Sequence, residues 1–443
     1  MLAIFIIQIT LYFRFFCCAV QSYRGYSLIR FKTAKLDWIE EIEAADFNLN
    51  HFPEPKRTIV DIWSEPNIYR NHVDVLVAPE FLDTFLVLLK MRGINDAQII
   101  MKDIQKDIDR EKRDLAQIKL NYRLRRSLND NSSTAFNLSA YHRYDRIVDY
   151  LKMLSNQYPN LAEVFNIART YEGRKMVAIK IGNNLSFKPA IFIDAGIHAR
   201  EWIAPAVALY IASKLITKYG RDSDVTRMVD NFDWYIVPVA NPDGYEYSMT
   251  YDRLWRKTRS KNITVNKWCI GADANRNWGY RWGETGANHS PCSCTYPGSA
   301  PFSEVETAGI RDFLIYQVPE LKIYISLHSY GQLILAPWGY TNDKPNNHHD
   351  QEYAASLAVE AIRNKTGAKY NYGTISELMY LASGTSIDYM QDKGVPYIYA
   401  IELRPEDVDH HYGFTIPAQF IAPTGLLIAP NSFNFDILII IYK

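Results

Sequence analysis

Apolar residues in the latter two-thirds of the chain gather into short, nearly continuous runs at 176–182, 190–195, 234–240, 321–327 and 397–403. Runs of this length, rich in Ile, Val, Phe and Tyr, predict strands buried on both faces. Between them, 204–218, 303–316 and 354–365 carry apolar residues at helical spacing. From Tyr141 onward this alternation predicts an α/β domain, a sheet with helices on both faces. Ligands of such sheets bind beyond the C-terminal ends of the strands, so the polar residues there are the ones to examine. Upstream the pattern differs. Short β-rich runs at 58–63 and 74–77 and a helical stretch at 80–91 predict a small α+β unit within 22–100. A charged helical run then covers 102–126, with Ile104, Ile108, Leu115, Ile118 and Tyr122 as a sparse apolar stripe.

The first twenty residues are almost wholly apolar, and Cys17 and Ala19 suit the −3 and −1 positions of a signal-peptidase site. Residues 1–21 therefore read as a signal peptide and the product as secreted and extracellular. Arg14 is awkward in this reading, and as awkward in its rival, an uncleaved anchor. The charged helix ends in Arg123-Leu124-Arg125-Arg126, followed by a polar stretch over 127–134. A trypsin-like protease could cut there. The same cations could equally complement a helix C-terminus.

Composition narrows the field. A length of 443 residues suggests two or three domains, and 48% hydrophobic with 22% charged residues is globular. Lys+Arg and Asp+Glu tie at 49 each, so no global field draws nucleic acid or anionic lipid. Aromatics at 14% fit a large core with aromatic-lined clefts. Five Cys are too few for a disulfide scaffold but allow a bridge or two. Sequons at Asn131, Asn137, Asn184, Asn262, Asn288 and Asn364 permit glycosylation.

Four of the five strands end in reactive side chains. His198 and Glu201 follow the second, Asn241 and Asp243 the third, His328 closes the fourth, and Glu402 with Arg404 lies on the fifth. At a spacing of three, His198 and Glu201 meet on one face of a helical turn. With His328 they make a His2Glu set, three protein ligands with one open position, the composition of a catalytic zinc site. His198 and Glu201 alone would read as ordinary polar residues at a helix start; the second strand-end His tips the balance. Burial of Glu402 behind an apolar strand would raise its pKa toward the range of a general base. Its rival role is a structural pair with Arg404, on the same strand face. Arginines in the Trp-rich segments 255–259 and 273–278 suit carboxylate capture and oxyanion stabilisation.

Together the motifs GIHAREW, NPDGY, LWRKTRS, GADANRNW, SPCSCTYPG, SLHSYGQ and ELR resemble the pancreatic-type zinc metallocarboxypeptidases, the procarboxypeptidase A/B family, over residues 47–423. The resemblance implies a mixed twisted sheet with helices on both faces, preceded by a small α+β pro-domain. It divides the chain into a pro-region at 22–126 and a catalytic domain at 127–443. One Zn2+ would be held by His198, Glu201 and His328. Arg256 would polarise the scissile carbonyl and Glu402 act as general base. Asn275 and Arg276 would grip the terminal carboxylate, Tyr380 would cap that end, and Arg200 and Arg253 would support outer subsites. Cys269 and Cys292 would form the family disulfide, leaving Cys294 as an extra. The implied protein is a monomeric zymogen, cut by a trypsin-like protease and acting on peptides and proteins with free C-termini.

Family relatives that prefer Lys or Arg carry Asp at the pocket floor, where this chain has Ile387 followed by Asp388. An Ile floor offers no partner to a buried cation. The matching wall positions, Leu335, Gly339, Ile375 and Ala400, are small or apolar, so aromatic and aliphatic C-terminal residues are expected. The family closes with a long amphipathic helix after Pro423-Thr424. Here Pro430 would break it, and the run at 435–443 is β-like and too short to span a membrane.

Overall fold

The computed structural model describes residues 20–33, 38–39, 59–64, 72–127, 136–183, 187–261, 269–405 and 412–428. Almost all of the expected signal segment, the polar stretch from 128 to 134, the tail from 429 to 443 and the sequons at Asn131, Asn184 and Asn262 lie outside them, as do the side chains of Arg123 to Arg126.

Strands β1 (Ser27–Lys32), β2 (Val60–Ser64), β3 (His72–Val77) and β4 (Gln98–Met101) pair antiparallel in the order β2-β3-β1-β4. Side chains alternate across this sheet. Ile29, Phe31, Val73 and Val75 meet Phe85 and Leu89 of helix α1 (Leu82–Met91), while Leu28 and Leu76 face the opposite way, onto Leu254, Tyr330 and Phe414. Helix α2 (Gln105–Ser127) buries Ile104 at its entrance and Ile108 in its first turns. The expected apolar stripe thus holds at its N-terminal end.

The larger sheet comprises β5 (Ala162–Arg169), β6 (Lys175–Ile181), β7 (Ala190–Ala195), β8 (Asp233–Val237), β9 (Leu321–Ser329), β10 (Leu333–Ala336), β11 (Asn371–Thr374) and β12 (Tyr397–Leu403). Its order is β11-β10-β12-β9-β7-β8-β6-β5. The β10/β12, β6/β8 and β5/β6 pairs are antiparallel and the rest parallel, the mixed sheet that was expected. On one face pack α3 (Tyr144–Gln157), α4 (Ile203–Lys218), α5 (Ser223–Asn231) and α8 (His348–Thr366). On the other pack α7 (Val305–Gln317), α9 (Ile375–Leu378) and α10 (Ser386–Asp392). Ile191 and Ile193 of β7 join the first core, Ala190 and Phe192 the second. Helices α6 (Pro242–Thr250) and α11 (Ile421–Ile428) and three short 3-10 turns, Ala274–Arg276, Gly413–Thr415 and Ala418–Phe420, complete the described elements.

Two expectations need adjustment. The strand expected over 234–240 stops at Val237, because Pro238 has no N–H to give the ladder. His198 and Glu201 lie on a tight turn ahead of α4, which starts at Ile203, rather than on a helix.

Candidate active site

The three central strands β7, β9 and β12 run parallel and deliver their C-terminal ends to one place. Glu402 of β12 stands directly beside His328 of β9 in register. The turn after β7 brings in His198 and Glu201. Their ligand atoms and that of His328 all lie within 4.8 Å of one another, and all three residues are buried. His198 Nδ1 is 2.8 Å from Glu201 Oε1 and 3.2 Å from His328 Nδ1, which in turn is 3.2 Å from Glu201 Oε2. Two imidazole nitrogens and a carboxylate converging at this spacing are a donor set that fits Zn2+.

Charge around this cluster is arranged in layers. Burial alone would raise the Glu201 and Asp273 carboxyls, but their polar neighbours (the His198 and His328 rings for Glu201, the Arg256 guanidinium and the His198 ring for Asp273) hold both well below the ordinary range. Asp273 joins two roles. Its Oδ1 lies 3.1 Å from His198 Nε2, while its Oδ2 accepts Arg256 Nη2 at 2.8 Å and Nε at 3.2 Å. Desolvation works against the Arg256 charge, but Asp273, Tyr380 and Glu201 more than offset it and keep the guanidinium protonated. Asp273 was not singled out from the sequence; its place two residues before Asn275, in the same short motif, was the available signal.

Next to this candidate metal-binding cluster sits an anchored cation. Arg276 is 2% exposed, donates from Nε to the Gly286 carbonyl at 2.7 Å and from Nη1 to the Asn275 carbonyl at 3.0 Å. Its Nη2 is 3.2 Å from the Tyr380 hydroxyl. Asn275 Oδ1 accepts the Ser386 N–H at 3.0 Å, which ties this segment to the start of α10. The disulfide Cys269–Cys292 forms and encloses the Asn275–Arg276 segment; Cys294 is half-buried. In the first turn of α10, Ile387 is buried in one apolar cluster with Leu335, Ile375 and Ala400. Leu335 and Ala400 are register partners. Asp388, next in the chain, accepts the N–H groups of Gly339 and Tyr340 at 2.9 and 3.0 Å, and burial pushes its carboxyl up to about 7. Gly339 has no room for a side chain, since a Cβ would stand 2.7 Å from the Ala382 carbonyl oxygen.

A family model described as zinc carboxypeptidase matches residues 147–427, and one described as carboxypeptidase activation peptide matches 49–111. The chain belongs to the zinc carboxypeptidases. It is 44% identical over 288 residues to carboxypeptidase B of Astacus astacus, covering 65% of this chain and 93% of that protein. Bovine carboxypeptidase A1 is 35% identical over 405 residues, covering 91% of each. The crystal structure of carboxypeptidase A from Helicoverpa armigera superposes with a TM-score of 0.78 at 27% identity, over 95% of this chain and 97% of that one. The protein is therefore a zinc-dependent peptide hydrolase that carries an activation peptide.

Strand β2 and helix α2 of the N-terminal unit pack against residues that flank this cluster. Asp61 Oδ2 accepts Arg200 Nη1 and Trp63 Nε1 at 2.8 and 2.9 Å. The Trp63 ring packs edge-on against Phe414 with centroids 4.9 Å apart. Glu111 of α2 takes both Nε and Nη2 of Arg253, at 2.6 and 3.0 Å. Tyr330, just past β9, reaches Asp74 Oδ2 at 3.3 Å. Arg200 and Arg253 are thus both engaged by acidic side chains of the N-terminal unit. Among the described residues no helix is long and apolar enough to cross a membrane.

Proposed function

We propose that this zymogen is secreted as a monomer, is cut near Arg126 by a trypsin-like protease, and then releases single aromatic or aliphatic residues from peptide C-termini. In this reading residues 22–126 are the pro-region and 127–443 the catalytic domain. The convergence of His198, Glu201 and His328 beside the Arg256–Asp273 pair carries the assignment of the reacting centre. When bound, zinc supplies Lewis acidity to the carbonyl and to the attacking water. Glu402 takes a proton from that water and returns it to the leaving amine. Arg256, oriented by Asp273, donates to the carbonyl oxygen as negative charge develops there. Asn275 and Arg276 hold the terminal carboxylate and Tyr380 closes over it. Arg200 and Arg253 line outer subsites once the N-terminal unit departs.

Relatives bear both A and B names, so substrate preference is argued from the pocket of this chain. Buried Ile387, clustered with Leu335, Ile375 and Ala400 next to Gly339, supports an apolar floor and wall. The trypsin-treated protein, incubated with peptides varied only at their last residue, with and without chelator, tests the whole reading. Release of one terminal residue that chelator abolishes is expected. Glu402→Gln should retain zinc and lose turnover; normal hydrolysis by that variant would refute the general-base role.

A further inference from the structure

Behind His328 runs a buried polar chain that the hydrolytic steps leave unused. Tyr324, Ser326 and His328 are alternate residues of β9, so their side chains share one face. Asp194, near the end of β7, is the register partner of Ser326. Its Oδ2 accepts the Tyr324 hydroxyl and its Oδ1 accepts the Ser326 hydroxyl at 2.8 Å. Ser326 Oγ is in turn 3.1 Å from His328 Nε2. Asp194, Tyr324 and Ser326 are wholly buried. A carboxylate and two hydroxyls in the middle of a parallel sheet cost more than apolar side chains of the same size would, even when paired.

The donor count decides what this chain does. Ser326 has one proton, and Asp194 takes it, so towards His328 the hydroxyl oxygen can only accept. His328 must then carry its hydrogen on Nε2 and turn the Nδ1 lone pair to the side where Glu201 and His198 wait at 3.2 Å. His198 is held the same way: its Nδ1 faces the cluster and its Nε2 meets Asp273 at 3.1 Å. Each imidazole presents Nδ1 and has Nε2 tethered to a carboxylate, directly in one case and through a hydroxyl in the other.

We propose that Ser326 and Asp194, backed by Tyr324, are positioning residues for the metal, fixing the tautomer and ring plane of His328 and strengthening it as a zinc ligand. This rests on His328 being a ligand. The test is zinc affinity of the full-length chain by chelator competition, with the visible spectrum of the Co2+-substituted protein as a second readout. Ser326→Ala and Asp194→Asn should each weaken zinc binding about 10–100-fold and alter the cobalt bands. The double variant should bind no more weakly than Ser326→Ala alone, and Ser326→Thr, which keeps the hydroxyl, should restore affinity. Zinc affinity within twofold of the parent in both single variants, even with a lowered melting temperature, overturns the proposal. Should those variants fail to fold, Tyr324→Phe removes one hydroxyl only: a several-fold loss of affinity supports the chain and an unchanged affinity refutes it. His328→Ala separates the two levels, since stoichiometric zinc in that variant would overturn the ligand assignment itself.

Discussion

Arg200 Nη1 donates to Asp61 Oδ2 at 2.8 Å across 139 positions of sequence, with both residues buried. Arg200 stands two residues from His198, and Asp61 lies in the segment matched to the activation peptide. The pair therefore joins the N-terminal unit to the turn that carries His198 and Glu201. Removing one partner strands a buried charge, which typically costs about 3–5 kcal/mol. Asp61→Ala should loosen the N-terminal unit and raise the activity of the uncut chain on a small peptide by at least tenfold, about 1.4 kcal/mol. An uncut variant as silent as the parent would place latency elsewhere.

Arg256→Ala removes the guanidinium that Asp273 orients. Loss of one oxyanion donor typically lowers kcat about 100–1000-fold. The variant should show that fall with little change in KM and with full zinc content, measured on the activated enzyme. A rise in KM alone would make Arg256 a ground-state binding group.

Ile387 governs the expected preference. Activated enzyme should release C-terminal Phe at least about 100-fold faster than Arg from otherwise identical peptides, since an unpaired buried cation costs several kcal/mol. Ile387→Asp should shift that ratio towards Arg. Discrimination among Phe, Tyr and Leu should be modest, about 1–3 kcal/mol. Faster release of Arg by the parent would show that Asp388, not Ile387, meets the substrate.

Glu306, in the first turn of α7, is buried, and its Oε1 has no hydrogen-bond partner among the described residues. Burial first, then the charges of Glu304, Asp243 and Glu172, raise its carboxyl to about 8. The folded chain thus holds a proton that the unfolded chain releases near pH 4.5. The contribution of this group to stability is full below that pH and is lost as pH rises through about 8. Glu306→Gln should melt close to the parent at pH 5. At pH 8.5 it should melt higher by about 10 °C, a shift of this size being worth up to about 5 kcal/mol at roughly 2–4 °C per kcal/mol. A gap that does not widen with pH would refute the shift.

The strands at 190–195 and 397–403 were legible to the residue, because a strand buried on both faces leaves an unbroken apolar run. Elsewhere boundaries moved for local reasons, as at Pro238. The residue types of the candidate metal cluster were also readable, and the three-residue spacing of His198 and Glu201 lets one local turn bring the two side chains together.

What the sequence determined by itself is therefore periodicity, turn chemistry and the reactive residue types at strand ends. Tertiary structure alone decided which of these meet. The register of β7 against β9 sets Asp194 opposite Ser326, and that of β9 against β12 sets Glu402 beside His328. A long fold-back brings Asp61 onto Arg200, and the segment after the disulfide cysteine Cys269 delivers Asp273 to both His198 and Arg256. The physical reason is that parallel strands are joined by long crossovers. Their pairing leaves no short-range pattern along the chain, only the requirement that every buried polar group find its partner.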